Sequence, residues 1–254
     1  MEEAAKLVTA IAALVGALIW PVAVFAIFVI FRREIRTIAG KVPGIIDRVQ
    51  TLKLGAVEAE LRQLAQEVPD TKQRSGVVTA EQVRVAASVE VQSRDIENRE
   101  LLKQMDRLAI EYDTIRRTMR GGQARTTQMT KILVQMRGLA RAVTDSIEIY
   151  KSSGFPGSRL AAIAIMQMAP ATGDLNWLRD RFYFEAPFIF YHAALALQNI
   201  SNEADHEKIT QVVDLAREVH AKISSFPGGG DADTLEVLDA LLRGQATGGL
   251  DMIS

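Results

Sequence analysis

A long apolar stretch opens the chain, and helical periodicity follows it over most of the remaining length. From Leu7 to Phe31 the chain has 25 residues and none of them is charged. A helix of that length extends about 37 Å, which exceeds the roughly 30 Å hydrocarbon core of a bilayer. The pattern therefore predicts a single transmembrane helix over 7–31, preceded by a short N-terminal tail at 1–6.

A signal peptide and a buried core helix are the alternatives for this stretch. A signal peptide has a basic start, a shorter apolar region and a small-residue cleavage site. Here Glu2 and Glu3 come first, and the bulky Phe31 stands where the cleavage site is expected. A core helix carries a polar stripe, and this stretch has none. These features favour an uncleaved membrane anchor.

The charges after the apolar stretch predict its orientation. Between Arg32 and Lys53 there are six basic and two acidic residues. A Lys/Arg excess marks the cytoplasmic flank of a span and attracts anionic lipid. We therefore predict a bacterial inner-membrane protein with its N-terminus outside and everything after the span in the cytoplasm. The basic residues nearest to the membrane are Arg32, Arg33, Arg36 and Lys41.

Residues 32–68 form a basic, amphipathic juxtamembrane region. Apolar positions recur at roughly helical intervals, although a short strand over 52–58 is also compatible with the pattern. The polar segment 69–78 includes Pro69 and Gly76, which is typical of a linker. The soluble helical domain is expected to begin after it.

Heptad spacing in residues 79–151 predicts a long helical hairpin. Thr79 and Gln82 fit a capping box at its start. Two seams of apolar residues follow, separated by the helix-breaking pair Gly121-Gly122, which favours an antiparallel arrangement. The first seam is Leu101, Met105, Leu108, Tyr112, Ile115 and Met119, and the second is Met129, Ile132, Met136, Leu139, Val143, Ile147 and Tyr150.

Proline and glycine divide residues 152–244 into several further helices, and 245–254 is expected to be a loose tail. Pro187 suits the first turn of an almost wholly apolar helix, and Asp231 or Asp233 can cap the last one. Alternating apolar and polar residues do not extend beyond three or four positions, so no strand is predicted apart from the alternative at 52–58. The expected fold is all-α, with a HEAT-like, α-solenoid-like cytoplasmic domain.

Composition excludes several classes of function. The net charge is −1, so general attraction to nucleic acid is not expected. The chain has no cysteine and three histidines, which excludes disulfides, thiolate metal sites and a cysteine nucleophile. No metal-binding histidine pair or phosphate-binding loop is present. We therefore predict a protein that is not an enzyme and has no metal or cofactor.

Four arginines near the Gly-Gly turn form a candidate contact for an anion or an acidic protein partner. Arginines at a helix C-terminus also stabilise the helix dipole, so this cluster has a purely structural explanation as well. The four residues are Arg116, Arg117, Arg120 and Arg125.

Arg159 and His192 are the other polar residues of interest in apolar surroundings. A half-buried guanidinium needs a carboxylate, which Glu185 or Asp180 can provide. Arg159, Glu185 and His192 are therefore predicted as a buried polar network. An enzyme site using His192 as acid or base is the minor alternative, since a neutral histidine within a helical core explains the same residue.

Several short motifs together resemble a bacterial helical module found in effector or effector-associated proteins of anti-phage conflict systems. The resemblance covers residues 111–200 and carries no catalytic residues. The motifs are Tyr112-x-x-Ile115-Arg116-x-Thr118-Met119, Arg125-Thr126-x-x-Met129, Met136-Arg137-x-Leu139-Ala140, Pro156-Gly157-x-Arg159-Leu160-Ala161-Ala162-Ile163, Trp177-Leu178 and Pro187-Phe188-x-x-Tyr191-His192-Ala193-Ala194-Leu195-Ala196-Leu197. It implies a protein-interaction module joined to a membrane anchor.

Two non-enzymatic functions are compatible with these features. In the first, the cytoplasmic helices recruit a protein partner or self-assemble, and the protein is a membrane effector or adaptor of a defence system. In the second, the same parts form a scaffold of an envelope or secretion assembly. The lipid bilayer and a protein partner or homo-oligomer are the expected partners in both cases.

Overall fold

The computed structural model describes residues 52–69, 76–94 and 96–248, with side chains as far as residue 243. Within these ranges the chain is helical between its turns and contains no β-strand, which confirms the all-α fold class for this part. The α-helices are α1 (52–66), α2 (Ala80–Ser93), α3 (Asn98–Thr118), α4 (Gln123–Ala140), α5 (Ile147–Lys151), α6 (Pro156–Met168), α7 (Leu175–Phe184), α8 (Pro187–Glu203), α9 (His206–Ser224) and α10 (Ala232–Gly248).

The membrane span predicted at 7–31 lies outside the described residues. The same holds for the basic residues predicted beside it: Arg32, Arg33, Arg36 and Lys41. Within the described ranges, no helix combines the length and the apolar content that crossing a bilayer requires. At the other end, α10 continues to Gly248, past the start of the tail predicted at 245–254.

α1 belongs to the helical domain and is not a strand, which resolves the ambiguity left by the sequence. Leu61 and Leu64 are buried in the common core. Leu61 lies over Gly138 of α4, where a Cβ atom would clash with the leucine methyl group. The compact unit therefore starts at Lys53, ahead of the linker predicted at 69–78.

The hairpin predicted across the Gly121-Gly122 turn is present. α3 and α4 pack against each other on either side of it. Gly122 has a φ angle of +140°, a conformation that residues with a Cβ atom rarely adopt. The first seam points into the core, with Leu101, Met105, Leu108 and Tyr112 buried.

The second predicted seam is not one continuous helix. α4 ends at Ala140, and a 3₁₀ segment spans Arg141–Ser146 before α5 begins. Val143 interrupts that segment with φ −117° and ψ 16°. Val143, Ile147 and Tyr150 are nevertheless buried. The apolar periodicity therefore predicted their burial correctly but did not predict the change from α-helical to 3₁₀ geometry.

The even-numbered helices contact one another in series. α2 packs on α4, α4 on α6, α6 on α8 and α8 on α10, while α7 packs on both α8 and α9. α6 is buried on nearly every side because its sequence from Leu160 to Met168 is apolar except for Gln167. Gln167 of this central helix takes part in a buried polar network, and the N-terminal turn of α6 lines a surface groove. Both regions are described below.

The predicted N-caps are present, although the Gln82 side chain accepts from Arg137 and does not complete the capping box predicted with Thr79. The Thr79 hydroxyl accepts a hydrogen bond from the Gln82 backbone N–H at 3.2 Å, which stabilises the start of α2. Of the two aspartates considered for the last helix, Asp231 is the cap, because its carboxylate accepts the Thr234 backbone N–H at 3.1 Å.

Candidate functional site

Glu185 is the carboxylate that pairs with Arg159. The Arg159 Nε atom donates to Glu185 Oε1, and the Arg181 guanidinium donates to the same oxygen at 3.3 Å. Only 3% of the Glu185 side chain is exposed. Two cations therefore compensate one buried carboxylate, and the pair joins α6 to the end of α7.

His192 is not part of this ion pair. The residue is 1% exposed, and its ring packs edge-on against Phe188 and Tyr191 at centroid distances of 4.5 and 5.1 Å. Among the described residues its Nδ1 atom has no hydrogen-bond partner. Burial, with the positive charge of Arg137, holds the pKa of His192 well below its usual range. The predicted three-residue network is thus divided, and its histidine is not open to a substrate.

The second polar group is centred on Arg137, which the sequence analysis named only within a resemblance motif and gave no role. Its side chain is fully buried. The guanidinium donates to Gln167 Oε1 at 2.8 Å, to Gln82 Oε1 at 3.0 Å and to the Gly76 carbonyl. These three acceptors are neutral, so the cation is stabilised by dipoles. Burial lowers the pKa of Arg137 to about 9, which leaves it charged at neutral pH.

This Arg137 network extends through the centre of the domain. Gln167 Nε2 donates to the His192 carbonyl at 2.6 Å, and Asn199 Nδ2 donates to the Gln167 carbonyl at 2.9 Å. It therefore links α2, α4, α6 and α8. The available sequence signal was Gln167 itself, since a lone polar side chain on a buried helix needs an internal partner. Its partner 30 positions away could not be read from the sequence.

Acidification is expected to destabilise the domain through His192. Because its folded-state pKa is depressed, the unfolded chain binds more protons once the pH falls below about 6.5. The free energy of unfolding should then decrease with falling pH, and linkage limits the contribution of this residue between pH 7 and pH 5 to at most about 2 kcal/mol. Urea unfolding at both pH values measures this difference. In the His192→Met variant the free energy of unfolding should depend less on pH over this range. An equal pH dependence in variant and wild type would contradict the depressed pKa of His192.

The four arginines predicted as an anion or partner contact fall into two groups. Arg116 and Arg117 line a groove between α3 and α6, whereas Arg120 and Arg125 are not among its lining residues. Arg125 donates to the Met119 carbonyl at 3.5 Å. That bond stabilises the end of α3, as the helix-terminus explanation expects.

The groove follows α3 and is closed by the first turn of α6. Its volume is about 610 Å³. It presents two large apolar side chains to solvent, Ile110 at 66% and Phe155 at 69% exposure. Such side chains in a concave site with charged ends are typical of a protein-binding surface. The lining residues are Asp106, Ala109, Ile110, Asp113, Arg116, Arg117, Phe155, Pro156 and Ser158.

Gly157 allows α6 to start directly against α3. A Cβ atom at this position would overlap the Ala109 backbone carbonyl. The Gly157 N–H donates to the Asp113 carboxylate at 2.9 Å, so a residue of α3 caps α6. Pro156 occupies the first turn, where its missing N–H costs nothing. This close approach places Phe155 at the edge of the groove.

The two ends of the groove carry opposite charges. Arg116 and Arg117 lie at the end formed by the C-terminus of α3, and Asp106 lies at the other end. Asp106 also adjoins the hydroxyl of Tyr150, and burial together with this carboxylate raises the pKa of the tyrosine. The groove therefore has an acidic end and a basic end, and the exposed Ile110 side chain and the Asp113 carboxylate lie between them.

Searches against protein-family models, curated proteins and solved structures found no match to this chain. They supply no relative for the motifs noted between residues 111 and 200. The interpretation of the groove therefore depends on the residues that form it.

Proposed function

We propose that this chain is a non-enzymatic, membrane-anchored interaction protein. Its cytoplasmic helical domain binds a protein partner, or another copy of itself, through the α3–α6 groove. The serial contacts of the even-numbered helices support a HEAT-like, α-solenoid-like arrangement. Stacks of this kind present extended concave binding surfaces, because a small rotation between successive helix pairs gives the stack curvature and twist.

The observation that carries this proposal is the exposure of Ile110 and Phe155 in one groove. Burying one large apolar side chain contributes roughly 1.5–3 kcal/mol, and the isolated domain does not obtain this contribution from either residue. Charged residues lie at both ends of the groove, as in the polar rim of protein interfaces, and the Asp113 carboxylate between them is already bound to the Gly157 N–H.

The membrane anchor in this proposal is the uncharged stretch 7–31, with the basic residues that follow it. The charge distribution supports an inner-membrane position in a bacterium, with the helical domain in the cytoplasm. Such an anchor confines the domain to two dimensions, which raises the effective concentration of its binding partners.

The resemblance to anti-phage modules supports a role as a membrane effector or adaptor in defence. An effector that perturbs the bilayer should collapse the membrane potential when overproduced, and a potential-sensitive dye reports this directly. An unchanged potential favours an adaptor or an envelope scaffold. Both roles retain the interaction surface on the helical domain.

Photo-crosslinking of the full-length protein in cells tests the interaction surface. Benzoylphenylalanine in place of Phe155 is expected to give specific higher-mass adducts, because this exposed ring lies at the groove edge where a partner docks. Immunoblotting and mass spectrometry detect and identify the adducts.

The matched control carries the same photoreactive residue in place of Ile149, which is similarly exposed but does not line the groove. We expect this position to give few or no adducts. Absence of adducts at the groove position, or the same adducts at both positions, contradicts the proposed function.

A further inference from the structure

The arginines at the basic end of the α3–α6 groove have no carboxylate partner within the part of the chain that the structure describes. Arg116 Nη1 donates to the Tyr112 hydroxyl at 3.4 Å, and Arg117 Nε donates to the Asp113 backbone carbonyl at 3.2 Å. Neither guanidinium forms an ion pair with a described residue. Because an arginine side chain carries several further N–H donors, both can still bind a carboxylate.

The two carboxylates of the groove, in contrast, already face donors of the domain. Asp113 Oδ1 accepts the Gly157 N–H at 2.9 Å. Asp106 lies beside the hydroxyl of the buried Tyr150, which can donate to it. Among the described residues of the groove, the unmet electrostatic requirement is therefore an anion at the basic end.

An exposed apolar contact lies at a defined distance from that end. Ile110 and Arg117 both line the groove and are exposed. They are 117 − 110 = 7 residues apart, which is about 10 Å along the α3 axis and within about 20° around it. A ligand that uses both must carry an apolar side chain and a carboxylate about 10 Å apart.

A helix provides this spacing and an extended strand does not. Helical positions about seven apart lie on one face and are separated by about 10 Å. Same-face positions of a strand are separated by about 7 or 13 Å. The groove therefore favours a helical ligand.

We infer that the occupant of the α3–α6 groove is an amphipathic helix of a partner protein, with a large apolar side chain and a carboxylate about seven positions apart. The inference rests on the proposed function and specifies the chemistry of the partner. The apolar side chain packs on Ile110 and Phe155, and the carboxylate accepts hydrogen bonds from Arg116 and Arg117.

The same residues argue against an anionic bilayer or a nucleic acid as the occupant. Either one carries negative charge along its whole surface. Along the groove it would meet Asp106 and Asp113 as well as the arginines, so the attraction at one end is offset by repulsion from the rest. A helix with one carboxylate at the basic end avoids this repulsion.

Charge reversal in the full-length chain that carries benzoylphenylalanine in place of Phe155 tests the pairing in cells. Arg117→Glu places a carboxylate opposite that of the partner, so the yield of protein adducts should fall about tenfold. Arg120→Glu is the matched control, since it makes the same charge change at an exposed position outside the groove. Its yield should stay near that of the unmodified sequence, and an equal loss in both variants overturns the inference.

Mass spectrometry of the adducts identifies the partner and the residue of the partner that is crosslinked. A carboxylate should lie about seven positions from that residue. Changing it to lysine in the partner should weaken capture by the chain with Arg117 and restore capture by the Arg117→Glu chain. Recovery also shows that the Arg117→Glu chain folds, and failure to recover overturns the inference.

The outcomes separate this inference from the proposed function. Protein adducts that are insensitive to Arg117→Glu, or a captured segment without a carboxylate at this spacing, leave the proposed function intact and refute only the acidic helix. Adducts with the mass of a phospholipid and no protein refute both.

Discussion

Replacing Arg137 with methionine is expected to lower the free energy of unfolding by about 3 kcal/mol. Methionine fills most of the volume but donates no hydrogen bonds. The side-chain oxygens of Gln82 and Gln167 and the Gly76 carbonyl would then remain in the core with no donor from this position. An unsatisfied buried acceptor costs about 1–3 kcal/mol, so the loss should exceed the roughly 1 kcal/mol of an average point substitution.

Chemical denaturation followed by circular dichroism measures this loss. Arg99→Met, at an exposed position of α3, is the control and should behave like wild type. Combining Arg137→Met with Gln82→Leu removes a donor and one of its acceptors together. The double variant should lose about 1 kcal/mol less than the sum of the two single losses, because contacting residues are not additive. Wild-type stability of Arg137→Met would show that the network is dispensable.

Gly157→Ala is expected to cost about 3 kcal/mol through overpacking and the loss of a helix cap. The new methyl group would overlap the Ala109 carbonyl, which belongs to helix backbone and cannot rotate away. The start of α6 must then move from α3, and the hydrogen bond from the Gly157 N–H to Asp113 is lost with it.

Gly154→Ala provides a matched control in the same connection. A Cβ atom there meets nothing within 4 Å, so stability should be unchanged or slightly higher. Thermal unfolding of both variants tests the difference. Gly157→Ala should also reduce crosslinking from the Phe155 position, since the groove loses its closed side. Equal stability of the two alanine variants contradicts the close approach of α3 and α6.

Several elements of this structure could be predicted because they depend on residues close together in the chain. The hairpin around Gly121-Gly122 follows from the heptad spacing on either side of it. The cap by Thr79 requires only the backbone N–H of residue 82, three positions later. Arg159 in an apolar helix demanded a carboxylate, although the choice of Glu185 over Asp180 needed the structure.

Other elements depended on contacts that periodicity does not encode. The apolar pattern of the second seam continues through Val143, yet the backbone changes there from α to 3₁₀ geometry. α1 has an amphipathic pattern that suits a membrane surface as well as a protein core. Its place in the core follows from Leu61 packing over Gly138 on a distant helix. Apolar spacing identifies the buried face of a helix, but it does not show whether a membrane or another helix covers that face.

By itself, the amino-acid sequence determined that residues 79–244 are mainly helical and placed several helix ends, at Thr79, Gly121-Gly122 and Pro187. It also determined that most of the polar residues lie outside a helical core, because helix periodicity and capping act over a few residues. Only the tertiary structure decided that Arg137 meets Gln82 and Gln167, and that Ile110 and Phe155 share one groove. Those contacts join distant segments, and their geometry depends on close approaches such as that of Gly157 to α3, which the packing of the whole domain sets.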